Sequence, residues 1–225
     1  MRQQHLAGDK LFIDYSGKKP SYFDRQTGER IECELFVAVL GASNLTYAEA
    51  TATQRREDFL RSHIRAHSYF GGVSRLWIPD NLKSAVVKAC AYEPTLQRDY
   101  EELAAHYGAA VLPARPRKPR DKAKVEVGVQ IAQRWILARL RNIRCFSLVE
   151  LNGHIARLLE ELNQRPMRVY KRSRRELFEQ IERQHLRPLP AHSFVLCETK
   201  EAKVHIDYHV AFDGHFYSVP YALVQ

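Results

Sequence analysis

The chain has 225 residues, of which 45% are hydrophobic and 27% charged, as is ordinary for a folded globular protein. Its formal net charge of +9 points to a polyanionic partner such as nucleic acid. The longest apolar run, residues 35–42, is too short to cross a bilayer, and the first ten residues lack the apolar segment of a signal peptide, so we expect a cytoplasmic, nucleoid-associated protein without a membrane partner.

The first two thirds of the chain alternate between strand and helix patterns. The patterns predict strands over 10–15, 33–42, 46–52, 75–80 and 109–114, and helices over 55–72, from about residue 82, over 96–108 and over about 121–141. The early strands follow one another through turns, whereas the later ones are joined by helices. This order predicts an α/β fold with a mixed sheet flanked by helices.

The pattern changes after residue 145. Two helices are predicted, over 147–166 and 173–184, and each begins with an S-x-x-E capping box. Apolar and polar residues then alternate over 204–212, and Asp213-Gly214 predicts a hairpin turn. We expect three domains: 1–145, a helical linker region at 146–190, and the start of a β module at 191–225.

Two histidine patterns resemble metal sites. His63 and His67 lie four residues apart on a predicted helix, and His205, Asp207 and His209 share one face of a predicted strand. No cysteine or carboxylate completes the first set, and the four cysteines contain no C-x-x-C pair. A solvated polar face is therefore the favoured interpretation of both patterns.

Three carboxylates occupy positions that require an explanation. Asp14 and Asp80 each close an apolar strand, where an ionised carboxylate costs several kcal/mol unless something pairs with it. Glu126 lies on the long predicted helix, beside an apolar stripe that includes Val129 and Ile136. Open α/β sheets bind their ligands at the carboxyl ends of strands. Taken alone, Glu126 fits a surface pair with Lys122; taken with the aspartates, it is a candidate third member of one group of carboxylates.

Five segments of the chain have a distinctive sequence, and the first three of them contain the carboxylates: LFIDYSG, LWIPDNLKSAV, RKPRDKAKVEVGVQIAQRWILARLRN, SRRELFEQIERQHLRPLP and YHVAFDGHFYSVPYALV. The segments, in this order, resemble the IstA-type transposases of bacterial insertion elements, which share the DDE triad of the retroviral-integrase superfamily. The resemblance implies an RNase H-like catalytic core up to residue 145, followed by the helical linker region and the start of a small β-barrel. Family members have an N-terminal helix-turn-helix region and a longer barrel, so we expect a truncated copy or a fragment.

The resemblance also implies a chemistry. Asp14, Asp80 and Glu126 would hold two Mg²⁺ ions, for which Mn²⁺ can substitute, and would catalyse cleavage of a DNA strand and its transfer to a target. The implied partners are double-stranded DNA at element ends and target, further copies of the chain on that DNA, and an ATPase helper protein.

Basic residues cluster around the predicted helix and the linker region. A charge run is often only a solvated face, but beside three metal-binding carboxylates phosphate contact is the better interpretation. The residues predicted to contact DNA are Lys83, Ser84, Arg115, Arg117, Lys118, Arg120, Lys122, Lys124, Arg172, Arg174 and Arg175.

Two other functions remain open from the sequence. One is a catalytically incompetent DNA-binding remnant of such a transposase. The other is a plain RNase H-type nuclease, which would act on an RNA–DNA hybrid and usually carries a fourth catalytic carboxylate.

Overall fold

The structure, a computed structural model, describes residues 5–80, 86–88, 95–113, 119–197, 202–204 and 206–223, with the backbone alone at 86–88, 95 and 119–126. Two compact units are formed, Met1–Phe194 and Val195–Gln225. Among the helices so described, none combines the length and the apolarity that crossing a bilayer requires.

The strands, in chain order, are β1 (Lys10–Tyr15), β2 (Ser21–Phe23), β3 (Arg30–Glu32), β4 (Glu34–Leu40), β5 (Thr46–Thr51), β6 (Leu76–Pro79), β7 (Val86–Lys88), β8 (Thr95–Leu96), β9 (Ala110–Val111), β10 (His209–Phe212) and β11 (His215–Ser218). The α-helices are α1 (Arg56–Phe70), α2 (Arg98–His106), α3 (Pro119–Leu140), α4 (Leu148–Gln164) and α5 (Arg174–Leu177). A π-helical turn, Phe178–Glu182, and a 3₁₀ turn, Arg183–His185, continue α5.

A five-stranded mixed sheet forms the centre of the first unit. Its order is β5-β4-β1-β6-β9. β4 pairs antiparallel with β1 and β5, whereas β6 runs parallel to both β1 and β9. The mixed sheet predicted from the alternation of strands and helices is therefore confirmed.

Helices cover both faces of this sheet. On one face, Phe59 of α1 packs its ring against Tyr15 of β1 and Phe36 of β4. On the other face, apolar residues of α3 and α4 form one core cluster with the strands, including Val129, Ile155 and the strand residues opposite them. The helix α4 therefore belongs to the same core as the sheet.

Local sequence signals account for most helix boundaries. Gly71, with φ of 68°, ends α1 in the left-handed conformation that glycine adopts without strain. The Ser147 hydroxyl accepts a hydrogen bond from the Glu150 amide at the start of α4. At α5, the predicted capping box is complete, since Glu176 also accepts from the Ser173 amide.

One predicted element differs from the structure, and one observed hairpin was not predicted. The short helix expected from about residue 82 is wrong at 86–88, where β7 pairs with β8, while 82–85 lie outside the described residues. The hairpin formed by β2 and β3 was not predicted. Its three-residue strands are too short to show an alternation of apolar and polar residues, so they can be recognised only by their pairing with each other.

The second unit contains a two-stranded hairpin, β10 with β11, whose turn is Asp213-Gly214 as predicted. Both turn residues have positive φ, 48° and 75°, which is the conformation that such hairpin turns require. The strand expected over 204–212 is observed only from His209 onward. Within the described residues of this unit, the strands do not close into a barrel.

Candidate active site

Asp14 and Asp80 lie at the carboxyl ends of two neighbouring parallel strands. Asp14 is the fifth of the six residues of β1, and Asp80 directly follows β6. The register pairs Ile13 with Pro79, and the Asp80 amide donates to the Ile13 carbonyl oxygen over 3.1 Å. The next pair in that register is therefore Asp14 with Asp80. Because neighbouring strands lie about 4.8 Å apart, both carboxylates can reach a common ligand.

The two aspartates share the sheet face that α3 covers. Side chains alternate along a strand, so Asp14 shares its face with Phe12, and Asp80 shares its face with Ile78. Phe12 and Ile78 both belong to the core cluster that contains Val129 of α3. A side chain on the inner half of α3 is thus on the same side of the sheet as both aspartates.

The backbone of α3 comes close to the sheet two residues after Glu126. Gly128 approaches the sheet so closely that a Cβ at this position would lie 3.0 Å from Cγ2 of Val39. Val39 pairs with Phe12, two residues before Asp14. Glu126 lies two residues before Gly128 on this helix, although its side chain is outside the described atoms.

The aspartates keep access to solvent. Both are of intermediate exposure, and Asp14 Oδ1 accepts a hydrogen bond from the Tyr15 amide at 2.8 Å. Tyr15 itself is buried on the opposite face, where desolvation raises the pKa of its hydroxyl well above the usual value. That hydroxyl stays protonated at neutral pH and cannot serve as a general base.

The structure describes the side chains of two of the three predicted metal ligands, Asp14 and Asp80. Among the side chains that the structure describes, no three of the types His, Cys, Asp and Glu converge as a metal site. The Glu126 side chain is not among them, so the predicted triad stays a prediction. Asp14 and Asp80 nevertheless fit a hard divalent cation, because carboxylate oxygens are the ligands that Mg²⁺ prefers.

Most residues predicted to contact DNA lie outside the described atoms. Lys83, Ser84, Arg115, Arg117 and Lys118 fall in segments outside the described ranges, and of Arg120, Lys122 and Lys124 only the helical backbone is described. Their roles stay predictions.

The three predicted DNA contacts of the linker region differ in exposure. Arg172 is exposed and donates to Gln180 Oε1 at 2.5 Å. Arg174 is only 7% exposed, and its Nη1 donates to the Leu162 carbonyl oxygen at the end of α4. Desolvation and the nearby charge of Arg165 lower the pKa of Arg174. A phosphate cannot reach a guanidinium buried in this way, so we correct the expectation for Arg174.

Arg175 has a carboxylate partner. Its Nη2 donates to Glu160 Oε2 and to the Tyr69 hydroxyl, both at 2.9 Å, and its guanidinium lies over the Tyr69 ring. The charge of Arg175 is thus paired with Glu160 within the protein. Of the three arginines, Arg172 remains the exposed candidate for a DNA contact.

The histidine pair of α1 corrects another expectation. His63 and His67 do not form a solvated face; they are 0% and 1% exposed and pack among aromatic rings. The ring of His67 stacks on Trp77 with 4.7 Å between centroids. The four-residue spacing of His63 and His67 thus places both on the buried face of α1. In the sequence, only the bulky aromatic residues near them could have indicated this burial.

Comparison with known proteins agrees with this architecture. A family described as "Mu transposase, C-terminal domain" matches residues 189–225. Over its whole length the chain is 49% identical to "Putative transposase y4uI" of Sinorhizobium fredii and 51% identical to "Putative transposase for insertion sequence IS1162" of Pseudomonas fluorescens. It covers 44% and 40% of these two relatives, so it spans less than half of their length.

Further similarity is found to the transposase for insertion sequence element IS21 of Pseudomonas aeruginosa, at 31% identity over 87% of this chain and 50% of that one. Among solved structures, the integrase catalytic core domain of HTLV-2 in complex with magnesium aligns with a TM-score of 0.55 at 15% identity, covering 78% of this chain and 99% of that one. A chain from the structure of the simian T-cell lymphotropic virus intasome in complex with PP2A regulatory subunit B56 gamma aligns with a TM-score of 0.59 at 14% identity, over 96% of this chain and 67% of that one. The first unit therefore has the RNase H-like fold of integrase catalytic cores.

Proposed function

We propose that this chain carries the catalytic part of an insertion-element transposase of the IstA type, which cleaves a DNA strand and transfers it to a target in a metal-dependent reaction. One observation carries the proposal: the parallel register sets Asp14 beside Asp80 on the α3-covered face of an integrase-like fold. Its similarity to relatives named as transposases supports the same reaction class.

Asp14, Asp80 and Glu126 are the residues that would hold Mg²⁺. When bound there, a pair of divalent ions would activate the attacking oxygen and stabilise the leaving oxygen of the phosphodiester. The protein's own contribution is to fix the carboxylates. β1 and β6 hold the two aspartates in register, and α3, which carries Glu126, packs closely against β4 at Gly128.

DNA is the proposed substrate, and its backbone phosphates would contact basic residues near α3. The predicted contacts from Arg115 to Lys124 directly precede Glu126 in sequence, so a phosphate held there would lie close to the carboxylates. Arg172 adds an exposed cation from the linker region. Element ends, target DNA, further copies of the chain and an ATPase helper are the proposed partners.

A plasmid-nicking assay tests this function without knowledge of an element end. Supercoiled DNA is incubated with the chain and Mg²⁺ or Mn²⁺, and relaxed circles are counted, since one nick relaxes one plasmid. Asp14→Asn, Asp80→Asn and Glu126→Gln are each expected to lower the rate at least 100-fold, because each removes a charged oxygen ligand. The matched control is Glu161→Gln, an exposed carboxylate of α4.

We expect the control to keep the rate of the unsubstituted chain. Equal activity of the three variants and the control would refute the assigned triad. Binding of DNA without any metal-dependent nicking would instead favour the non-catalytic alternative. Faster cleavage of an RNA–DNA hybrid than of duplex DNA would favour the nuclease alternative.

A further inference from the structure

An arginine cluster surrounds Trp135, where α3 packs against α4. The Trp135 indole Nε1 donates to the Leu158 carbonyl oxygen at 2.8 Å, which fixes the ring on the surface of the helix pair. The guanidinium carbon of Arg139 lies 3.3 Å from the centre of this ring, and that of Arg165 lies 4.9 Å from it. Arg139 and Arg165 are both exposed to solvent. We call these three residues the Trp135 cluster.

The two arginines of the Trp135 cluster keep their charge for an external partner. Arg139 Nη1 donates to the Trp135 carbonyl oxygen at 3.2 Å, a neutral acceptor. The ion pairs found in the described part of the chain involve other arginines, namely Arg30, Arg56, Arg65, Arg98, Arg175 and Arg183. The buried guanidinium of Arg174 adds a third positive charge near Arg165. Three arginine charges therefore lie around Trp135 and Arg165.

The geometry favours a phosphate as that partner. A guanidinium held over an indole still has N–H groups at its outer edge, and these can donate two parallel hydrogen bonds to a phosphate. Stacking also restricts the side chain before binding, so less conformational entropy is lost when the anion arrives. Two such groups contact one ring, unlike single mobile cations on a solvated helix face.

We propose that the Trp135 cluster binds a backbone phosphate of DNA, as a contact separate in sequence from the basic residues that precede Glu126. The inference rests on the proposed function, because it takes the same DNA as its ligand. It adds Arg139 and Arg165 as binding residues, of which Arg139 carried no signal in the sequence beyond its i, i+4 spacing from Trp135.

The test compares two double variants that remove the same charge. In the first, Arg139→Ala and Arg165→Ala remove both arginines of the Trp135 cluster. In the control, Arg98→Ala and Arg183→Ala remove two exposed arginines that already pair with Glu102 and Glu179. Binding to a fluorescent DNA duplex is measured from 50 to 200 mM salt, and circular dichroism confirms that each variant is folded.

The first double variant is expected to bind about tenfold more weakly and to reduce the salt slope of log Kd by about 0.9, the value for one lost phosphate contact. The control is expected to keep the slope. A third variant, Arg139→Lys with Arg165→Lys, keeps the charge but loses the planar fork, so an intermediate loss of about threefold is expected.

Equal effects of the cluster variant and the control would overturn the inference, as would full binding by the lysine variant. In both outcomes the unsubstituted chain still binds DNA, so the proposed function stands. If the unsubstituted chain does not bind DNA at all, the proposed function and this inference fail together.

Discussion

At the scale of single residues, His63 shows how the core treats a titratable group. Its Nδ1 donates to the Phe59 carbonyl oxygen at 2.7 Å, which leaves Nε2 to accept from the Tyr100 hydroxyl at 3.0 Å. Both nitrogens of the neutral ring are thereby satisfied. Burial lowers the pKa of His63 to about 4, and burial together with the charge of His63 lowers that of His67 to about 3.

These two histidines predict an acid-sensitive fold. An unfolded histidine has a pKa near 6.5, so below about pH 6.5 the unfolded chain takes up protons that the folded chain accepts only near pH 4. The free energy of unfolding should therefore be highest above pH 6.5 and fall as the pH drops toward 4, by up to about 1.4 kcal/mol per pH unit for each histidine. Urea unfolding at pH 7, 6, 5 and 4.5 measures this slope.

Two substitutions separate the buried histidines from other titrating groups. His67→Phe removes one proton acceptor while keeping a ring against Trp77, so the slope between pH 6 and 4.5 should become shallower. His192→Gln, at an exposed position, should leave the slope unchanged. An identical slope in both variants would contradict the burial argument.

The residue scale also shows what a sequence can reveal about a site. Asp14 and Asp80 were predicted because a carboxylate at the end of an apolar strand is costly without a ligand. Arg174 was misjudged because its charge says nothing about its neighbours: the Leu162 carbonyl oxygen that holds it lies 12 positions away. Exposure of a long side chain depends on such tertiary contacts, and composition does not encode them.

At the scale of elements, α4 protects the edge of the sheet. β5 is an edge strand whose outer backbone groups would otherwise be unpaired. Asn152 pairs through its side-chain amide with both the N–H and the C=O of Ala50, and Asn163 does the same with Thr46. Two asparagines, three helical turns apart, thus take the place of a neighbouring strand.

Asn163 should be the more important of these two residues, because it is fully buried and also donates to the Tyr69 hydroxyl. Asn163→Ala leaves buried backbone groups of Thr46 unsatisfied, so we expect a loss of about 2–3 kcal/mol in the free energy of unfolding. Asn142→Ala, at an exposed turn, serves as the control and should change it by less than about 0.5 kcal/mol. Chemical denaturation measures both; similar values would contradict the edge-protection role.

Two glycines in helices offer a second test at this scale. Glycine inside a helix costs up to about 1 kcal/mol relative to alanine. Gly153 of α4 has open space around it, so Gly153→Ala should stabilise the fold by about that amount. Gly128 of α3 faces Val39 at 3.0 Å, so Gly128→Ala should gain less or destabilise.

The measurement is the melting temperature of each variant, in the presence and absence of DNA. Equal stabilisation by the two alanines would show that α3 is not in close contact with β4. Because Glu126 lies on the same helix, a large side chain at Gly128 should shift it away from the sheet, so Gly128→Leu is expected to reduce nicking even where the variant remains folded.

At the scale of the whole molecule, the central sheet could be predicted from the sequence, but the short hairpins and the packing of α4 on the sheet could not. Long apolar runs such as residues 33–42 predict strands on their own, and their order with the helices predicts the mixed sheet. The hairpins β2–β3 and β7–β8 have strands of two or three residues, which are too short to show an alternation of apolar and polar residues. The place of α4 in the central core depends on contacts with strands about 100 positions earlier. The domain boundaries at residues 145 and 190 stay predictions beside the two compact units observed.

The most direct test of the central claim is a crystal structure of the chain grown or soaked with Mn²⁺, whose anomalous scattering identifies the ion. The account predicts an anomalous peak coordinated by carboxylate oxygens of both Asp14 and Asp80, with Glu126 of α3 in its immediate surroundings, and no peak in the same crystals of Asp80→Asn. It would be contradicted if the two carboxyl groups lay more than about 10 Å apart, since no pair of ions at the spacing of two-metal sites can then bridge them, or if the manganese bound elsewhere.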